Sequence, residues 1–179
     1  MDSQGVTTSV YSRLARQAAE YYVKQSDLLM LPRTLPPDLM RQRACYVSII
    51  ENPGRRVRSM YGQALPQQVT LAQEIVMNTI MALTRNPSRQ VGRSDLTALQ
   101  YSVALLGPLQ RITDTAHLDP TQFGLSVQSD RGKSALLLPN RAGVDTVDDQ
   151  VATAMRESGI NPGQEAFTMY RFSVEYDDG

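Results

Sequence analysis

A chain of 179 residues balances 18 basic against 18 acidic side chains, and that zero net charge argues against bulk attraction to nucleic acid or anionic lipid, leaving only local basic patches. The hydrophobic share of 41% is ordinary for a globular protein, and a chain of this length buries roughly 70% of its unfolded surface, so it needs no staples. One cysteine, Cys45, and one histidine, His117, exclude an internal disulfide and a Cys/His metal cluster within one chain, and no cofactor is called for. The first ten residues have neither a basic n-region nor an apolar h-region, and no apolar run nears the ~20 residues of a bilayer span. A reduced, cytoplasmic protein without membrane contact is expected.

In chain order, Tyr11, Leu14, Ala15, Ala18, Tyr22 and Val23 recur at spacings of three and four, which predicts an amphipathic helix over 9–24. Residues 25–42 contain Pro32, Pro36 and Pro37 and read as loop, with Leu28, Leu29, Met30 and Leu31 expected to tuck under the domain. Two alternating runs, 44–50 and 55–61, flank Asn52-Pro53-Gly54 and predict a β-hairpin. Alternation puts Arg56 and Arg58 on one face of its second strand and Val57, Ser59 and Tyr61 on the other. With Arg41, Arg43 and Arg55 beside them, five arginines gather on or near this hairpin.

Residues 66–85 predict a central buried helix with Thr70 and Gln73 as a capping box, ended by Asn86-Pro87. A short helical turn starts at Ser94-Asp95. Leu99, Tyr101, Val103 and Leu105 then alternate with Gln100, Ser102 and Ala104, as in a half-buried strand closed by Gly107-Pro108. A loop through His117 to Pro120 leads to two strands, 123–128 and 133–138, around the turn Asp130-Arg131-Gly132. Thr146 caps a third helix with Val147, Val151, Ala152 and Met155 on its buried face and Gly159 at its end. Alternation over 166–176 predicts one last strand. Helices mixed with antiparallel hairpins indicate an α+β domain with a mostly antiparallel sheet.

Four groups invite a chemical reading. Gly132-Lys133-Ser134 resembles the tail of a phosphate-binding loop, but position 127 is Val127 and the segment leads into a strand, so a turn is the better reading. His117 sits among Thr113, Asp114, Thr115 and Asp119 and reads as solvated. Cys45 shares a strand face with Val47 and Ile49, which favours a core role over a reactive thiolate. The arginines read equally well as charges guarding an edge strand or as a fork for phosphate or carboxylate.

Val57-Arg58-Ser59-Met60-Tyr61-Gly62 resembles the signature Leu-Arg-Gly-Cys-Ile-Gly of the AMMECR domain family. Ala44-Cys45-Tyr46-Val47-Ser48 is similar to that family's Gly-x-Phe-Val-Thr strand, and the segment from Leu99 to Pro108 is similar to its Glu-Val-Ser-Val-Leu-x-Pro strand. Gly124-Leu125 and Leu137-Leu138-Pro139 fall in register as well. The block from Gly143 to Gln150, with Gly159-Ile160 and Tyr170-Arg171-Phe172, resembles the prokaryotic branch, encoded alongside a Memo-type protein and a radical SAM protein. The resemblance covers about residues 10–176 and implies one two-lobed domain with a cleft near the signature strand.

Of the signature, only Arg58 and Gly62 are kept; its cysteine is Met60, and the acid the family carries after the central helix is missing from the stretch from Asn86 to Gln90. A thioether supplies no thiolate, so thiol chemistry at the signature is excluded. The reading that follows is a degenerate, non-catalytic domain that binds a protein partner, of the Memo-type or radical SAM kind, with Arg43, Arg56, Arg58, Tyr61 and Gly62 as its binding residues. The alternatives are a nucleic-acid or phosphorylated-ligand surface built on the hairpin arginines, and a small-molecule enzyme with Arg58 as anion anchor and Tyr61 or His117 moving protons.

Overall fold

The computed structural model describes residues 9–86 and 90–178, with two compact units. The first contains the chain up to Leu105 together with the end from Tyr176, and the second is the continuous stretch from Leu106 to Glu175. Each has its own hydrophobic core and its own four-stranded sheet. The α+β expectation is met, with two sheets rather than one.

In the first unit, helix α1 (Val10–Gln25) buries Leu14, Ala15, Ala18 and Ala19, and Ser26 ends it in the left-handed conformation. A four-residue helix, α2 (Pro37–Met40), interrupts the following loop. Of the four apolar residues expected to tuck in, Leu29 and Leu31 pack against the core, whereas Met30 is 85% exposed and Leu28 is exposed too. The hairpin forms from β1 (Cys45–Glu51) and β2 (Arg56–Gly62). Strand β3 (Leu99–Leu106) pairs antiparallel with β1 on its other side, and the sheet order is β2-β1-β3-β8, with β8 spanning Val174–Asp178. Ser102 and Ala104 are buried along with Leu99, Tyr101 and Val103, so β3 is covered on both faces rather than half-buried.

Helix α3 (Leu71–Thr84) packs against β1, β2 and α1, and ten of its fourteen residues are buried. It starts at the Thr70–Gln73 capping box, not at Pro66, because Thr70 accepts the Gln73 N–H and Gln73 accepts the Thr70 N–H, worth about 1 kcal/mol. The Asn86-Pro87 stop falls partly outside the described residues.

In the second unit, β4 (Gln110–Ile112), β5 (Gly124–Ser129), β6 (Ser134–Leu137) and β7 (Phe167–Phe172) form a sheet in the order β4-β7-β5-β6, antiparallel at every pairing. Helix α4 (Val147–Ser158) packs on β5 and β6 and starts with a Thr146–Asp149 capping box. Gly159 ends it in the left-handed conformation, as its position at the end of the pattern predicts. Val147, Val151 and Met155 pack against the core as expected, with Gln150, Thr153 and Ala154 buried beside them, while Ala152 is exposed. The expected last strand is in fact two: Ser173 breaks it into β7 and β8, which join different sheets. Gly124 is obligatory here, since a Cβ would strike the Phe172 ring and the Leu137 carbonyl.

Candidate functional site

Strand β2, which carries the signature-like residues, is the edge of its sheet. Its alternation is interrupted. Ile49 pairs with Ser59 and Ile50 with Val57, so Arg58 is the extra residue of a β-bulge. The bulge separates Arg58 from Arg56 and corrects the single-face reading of the sequence: Arg56 and Val57 are exposed, while the Arg58 side chain is only 16% exposed. Ser59 donates to the Ala82 carbonyl at 2.6 Å, tying the strand to α3.

Arg58 is occupied by the protein itself. Its Nη2 donates to the Gln90 carbonyl at 2.9 Å and lies 3.4 Å from Asp95 Oδ2, and its Nη1 lies 3.6 Å from Glu51. Asp95 Oδ2 also accepts the Gly92 N–H at 3.0 Å. The guanidinium fork thus fastens the 90–95 segment to the hairpin instead of facing solvent for an anion.

The other expected site residues do not converge. Register places Gly62 opposite Tyr46 and Arg56 opposite Glu51, so Arg41 and Arg43 lie off one end of the hairpin and Arg55 and Arg56 at the other, about 17 Å or more apart. Arg43 donates to the Leu105 carbonyl, and Arg41 is exposed beside Asp38. Tyr61 packs against the core with Arg85 stacked 5.6 Å from its ring centre, and its hydroxyl accepts from Gln63 at 3.2 Å. Gly62 is a packing requirement, since a Cβ there would run into the Tyr46 ring and the Cys45 carbonyl. His117 belongs to the second unit, exposed in a one-turn 3-10 helix, with its carbonyl accepting from Arg171. Lys133 bonds Glu165 and the Gly159 carbonyl, consistent with a turn and not a phosphate loop.

Cys45 is fully buried beside Val47 and Ile49. Burial pushes its thiol from the ordinary 9.0 up to about 12, the Asn78 hydrogen bond opposing this and the Glu74 charge adding to it. Glu74 and Asn78 are buried polar residues of α3 that the apolar periodicity does not single out. Glu74 Oε2 accepts the N–H groups of Gln67 and Gln68 at 2.8 and 2.7 Å, and Asn78 donates to the Cys45 carbonyl at 2.9 Å. Their i,i+4 spacing on a buried helix was the available signal.

Next to the Arg58 anchor lies a cleft of about 330 Å³ within the first unit, formed by the last turns of α1 and α3 and by residues 90–93. Among the described residues no group of three or more His, Cys, Asp and Glu is placed to hold a metal ion, and no helix is long and apolar enough to cross a membrane.

The profile of the AMMECR1 family matches residues 12–176. A protein of Thermotoga maritima is 32% identical over 167 residues, covering 92% of this chain and 95% of its own. Protein CA_C1420 of Clostridium acetobutylicum is 30% identical over 167 residues, but the match spans only 35% of that longer chain. The crystal structure of the uncharacterized protein PH0010 from Pyrococcus horikoshii superposes with a TM-score of 0.84 at 23% identity, covering 94% of this chain and 89% of that one, which establishes a shared fold.

Proposed function

The chain belongs to the AMMECR1 family, and on that footing we propose that it is a degenerate, non-catalytic member, a cytoplasmic binding or accessory domain for a protein partner of the Memo-type or radical SAM kind that the prokaryotic resemblance implies. One observation carries the reading: where the signature has a thiol, Met60 stands 39% exposed on an open sheet edge, while the chain's only thiol lies buried in the core. Val57, 50% exposed, adds a second apolar side chain to the same strand. An edge strand with exposed apolar groups has unpaired backbone N–H and C=O groups to offer another chain. The Clostridium relative lends support, because there the matching region occupies about a third of a longer polypeptide and is joined to other sequence.

Two findings weigh against the alternatives. The arginines divide between the two ends of the hairpin, which leaves no continuous basic track for a phosphate backbone. Arg58, the anion anchor of the enzyme reading, is engaged by Gln90, Asp95 and Glu51.

The test is purification of the tagged protein from its native host, with and without nuclease. A stoichiometric, nuclease-resistant protein partner is expected, and it is lost from the Val57→Lys, Met60→Lys double variant while stability stays within about 0.5 kcal/mol, as for ordinary surface substitutions. A protein that emerges alone, or a partner the double variant retains, counts against the reading.

A further inference from the structure

We infer that the cleft at the last turns of α1 and α3 is a binding site for a small organic carboxylate, its carboxylate held by Arg93. The volume, about 330 Å³, is at the small end for ligand cavities and suits a small metabolite in preference to a peptide. Tyr22 and Val23 from α1, Leu83 from α3 and Val91 supply apolar patches, while Ser26, Thr84 and Gln90 make much of the remaining lining polar.

Among the described lining residues Arg93 is the one charged side chain, and none of them is a carboxylate. The bland reading is that Arg93 merely satisfies the end of α1, and one of its bonds does this, Nη2 donating to the Lys24 carbonyl at 2.7 Å. A guanidinium has five N–H groups, and that bond uses one. It also ties the Arg93 side chain to the end of α1 beside the cleft. A planar fork with its other donors uncommitted to any carboxylate matches a ligand carboxylate in geometry and charge, whereas an amine would meet like charge.

The segment that carries Arg93 is braced in advance. The Gln90 carbonyl is held by Arg58 and the Gly92 N–H by Asp95, so these two backbone groups of the segment have partners without a ligand. A wall already ordered lowers the entropic cost of binding. The bulge that turns Arg58 inward thereby acts on the cleft from outside it, as a positioning residue. The inference rests on this cavity and is independent of what the β2 edge binds.

The experiment uses phenylacetate, with phenylacetamide and phenethylamine as neutral and cationic analogues of the same shape, followed by saturation-transfer NMR on the full chain. Phenylacetate is expected to bind saturably, with both analogues at least about tenfold weaker, a difference of about 1.4 kcal/mol. Arg93→Gln is expected to lose binding. Val91→Phe, which fills the cleft and leaves Arg93 in place, is expected to lose it too, and both variants should keep the wild-type amide spectrum elsewhere. No saturable binding of phenylacetate, equal binding of the three probes, or binding that survives in a folded variant would overturn the assignment.

Discussion

Asp95 Oδ2 stands between Arg58 and Gly92, 3.4 Å from the guanidinium and 3.0 Å from the backbone N–H, so one carboxylate oxygen joins a sheet edge to a cleft wall. Arg58→Ala strands the Gln90 carbonyl and two carboxylates. Because both carboxylates are partly exposed, the expected loss is about 2 kcal/mol, below that of a fully buried pair. Urea unfolding of Arg58→Ala, Asp95→Asn and the double variant measures it, and the double variant should cost less than the sum of the singles.

Gly62 is kept by sterics. Gly62→Ala pushes a methyl into the Tyr46 ring and the Cys45 carbonyl across the hairpin, and a cost of about 2–3 kcal/mol is expected. Thermal unfolding reads this directly. A neutral outcome would mean that β1 and β2 yield at this end more easily than their register implies.

Alkaline stability should follow Cys45 and Tyr101. Burial raises the thiol from 9.0 to about 12 and the phenol from 10.0 to about 12. The native state keeps these protons where the unfolded chain has released them, so their stabilisation is complete below pH 9 and is lost as pH rises toward 12. Cys45→Ala should flatten the lower part of that decline. In the native state at pH 8 the thiol should resist a disulfide reagent until the protein opens, which the rate of thiol release reports.

At acid pH the second unit should respond through Glu165. The Asn161 N–H first, and Lys133 at 2.5 Å next, hold its carboxyl down from 4.5 to about 2. The unfolded chain takes up the proton earlier, so this stabilisation is present above pH 4.5 and is lost as pH falls toward 2. Glu165→Gln should be less stable at neutral pH and lack that segment of the acid titration, as followed by circular dichroism.

What the sequence made legible was local. Thr70 with Gln73 three residues on, and Thr146 with Asp148 and Asp149 in the turn it caps, announce helix starts through near neighbours, and the hairpin is announced by its own turn. The misses depend on distant partners. A bulge is set by pairing against β1, so no feature of the stretch from Arg56 to Gly62 alone reveals that Arg58 turns inward. Its acceptors, Gln90 and Asp95, lie more than thirty residues on. Strand β3 alternates in sequence yet is covered on both faces, because Ser102 and Ala104 are small enough to be buried without showing as hydrophobic. Three-residue β4 is too short for any period to register. Arg93 gave no signal except its place beside a glycine in a turn.

The break at Ser173 also sets an order of events during synthesis. The second unit is one uninterrupted stretch and has all its strands once residue 172 has left the ribosome, so it can close at that point. The first unit has most of its core some seventy residues sooner, by about residue 105, yet its sheet lacks its fourth strand until Val174–Asp178 are made. Strand β3 therefore waits with one edge open while the ribosome makes a whole unit, at about 5–20 residues per second a pause of several seconds, and that nascent edge is where a chaperone would be needed most.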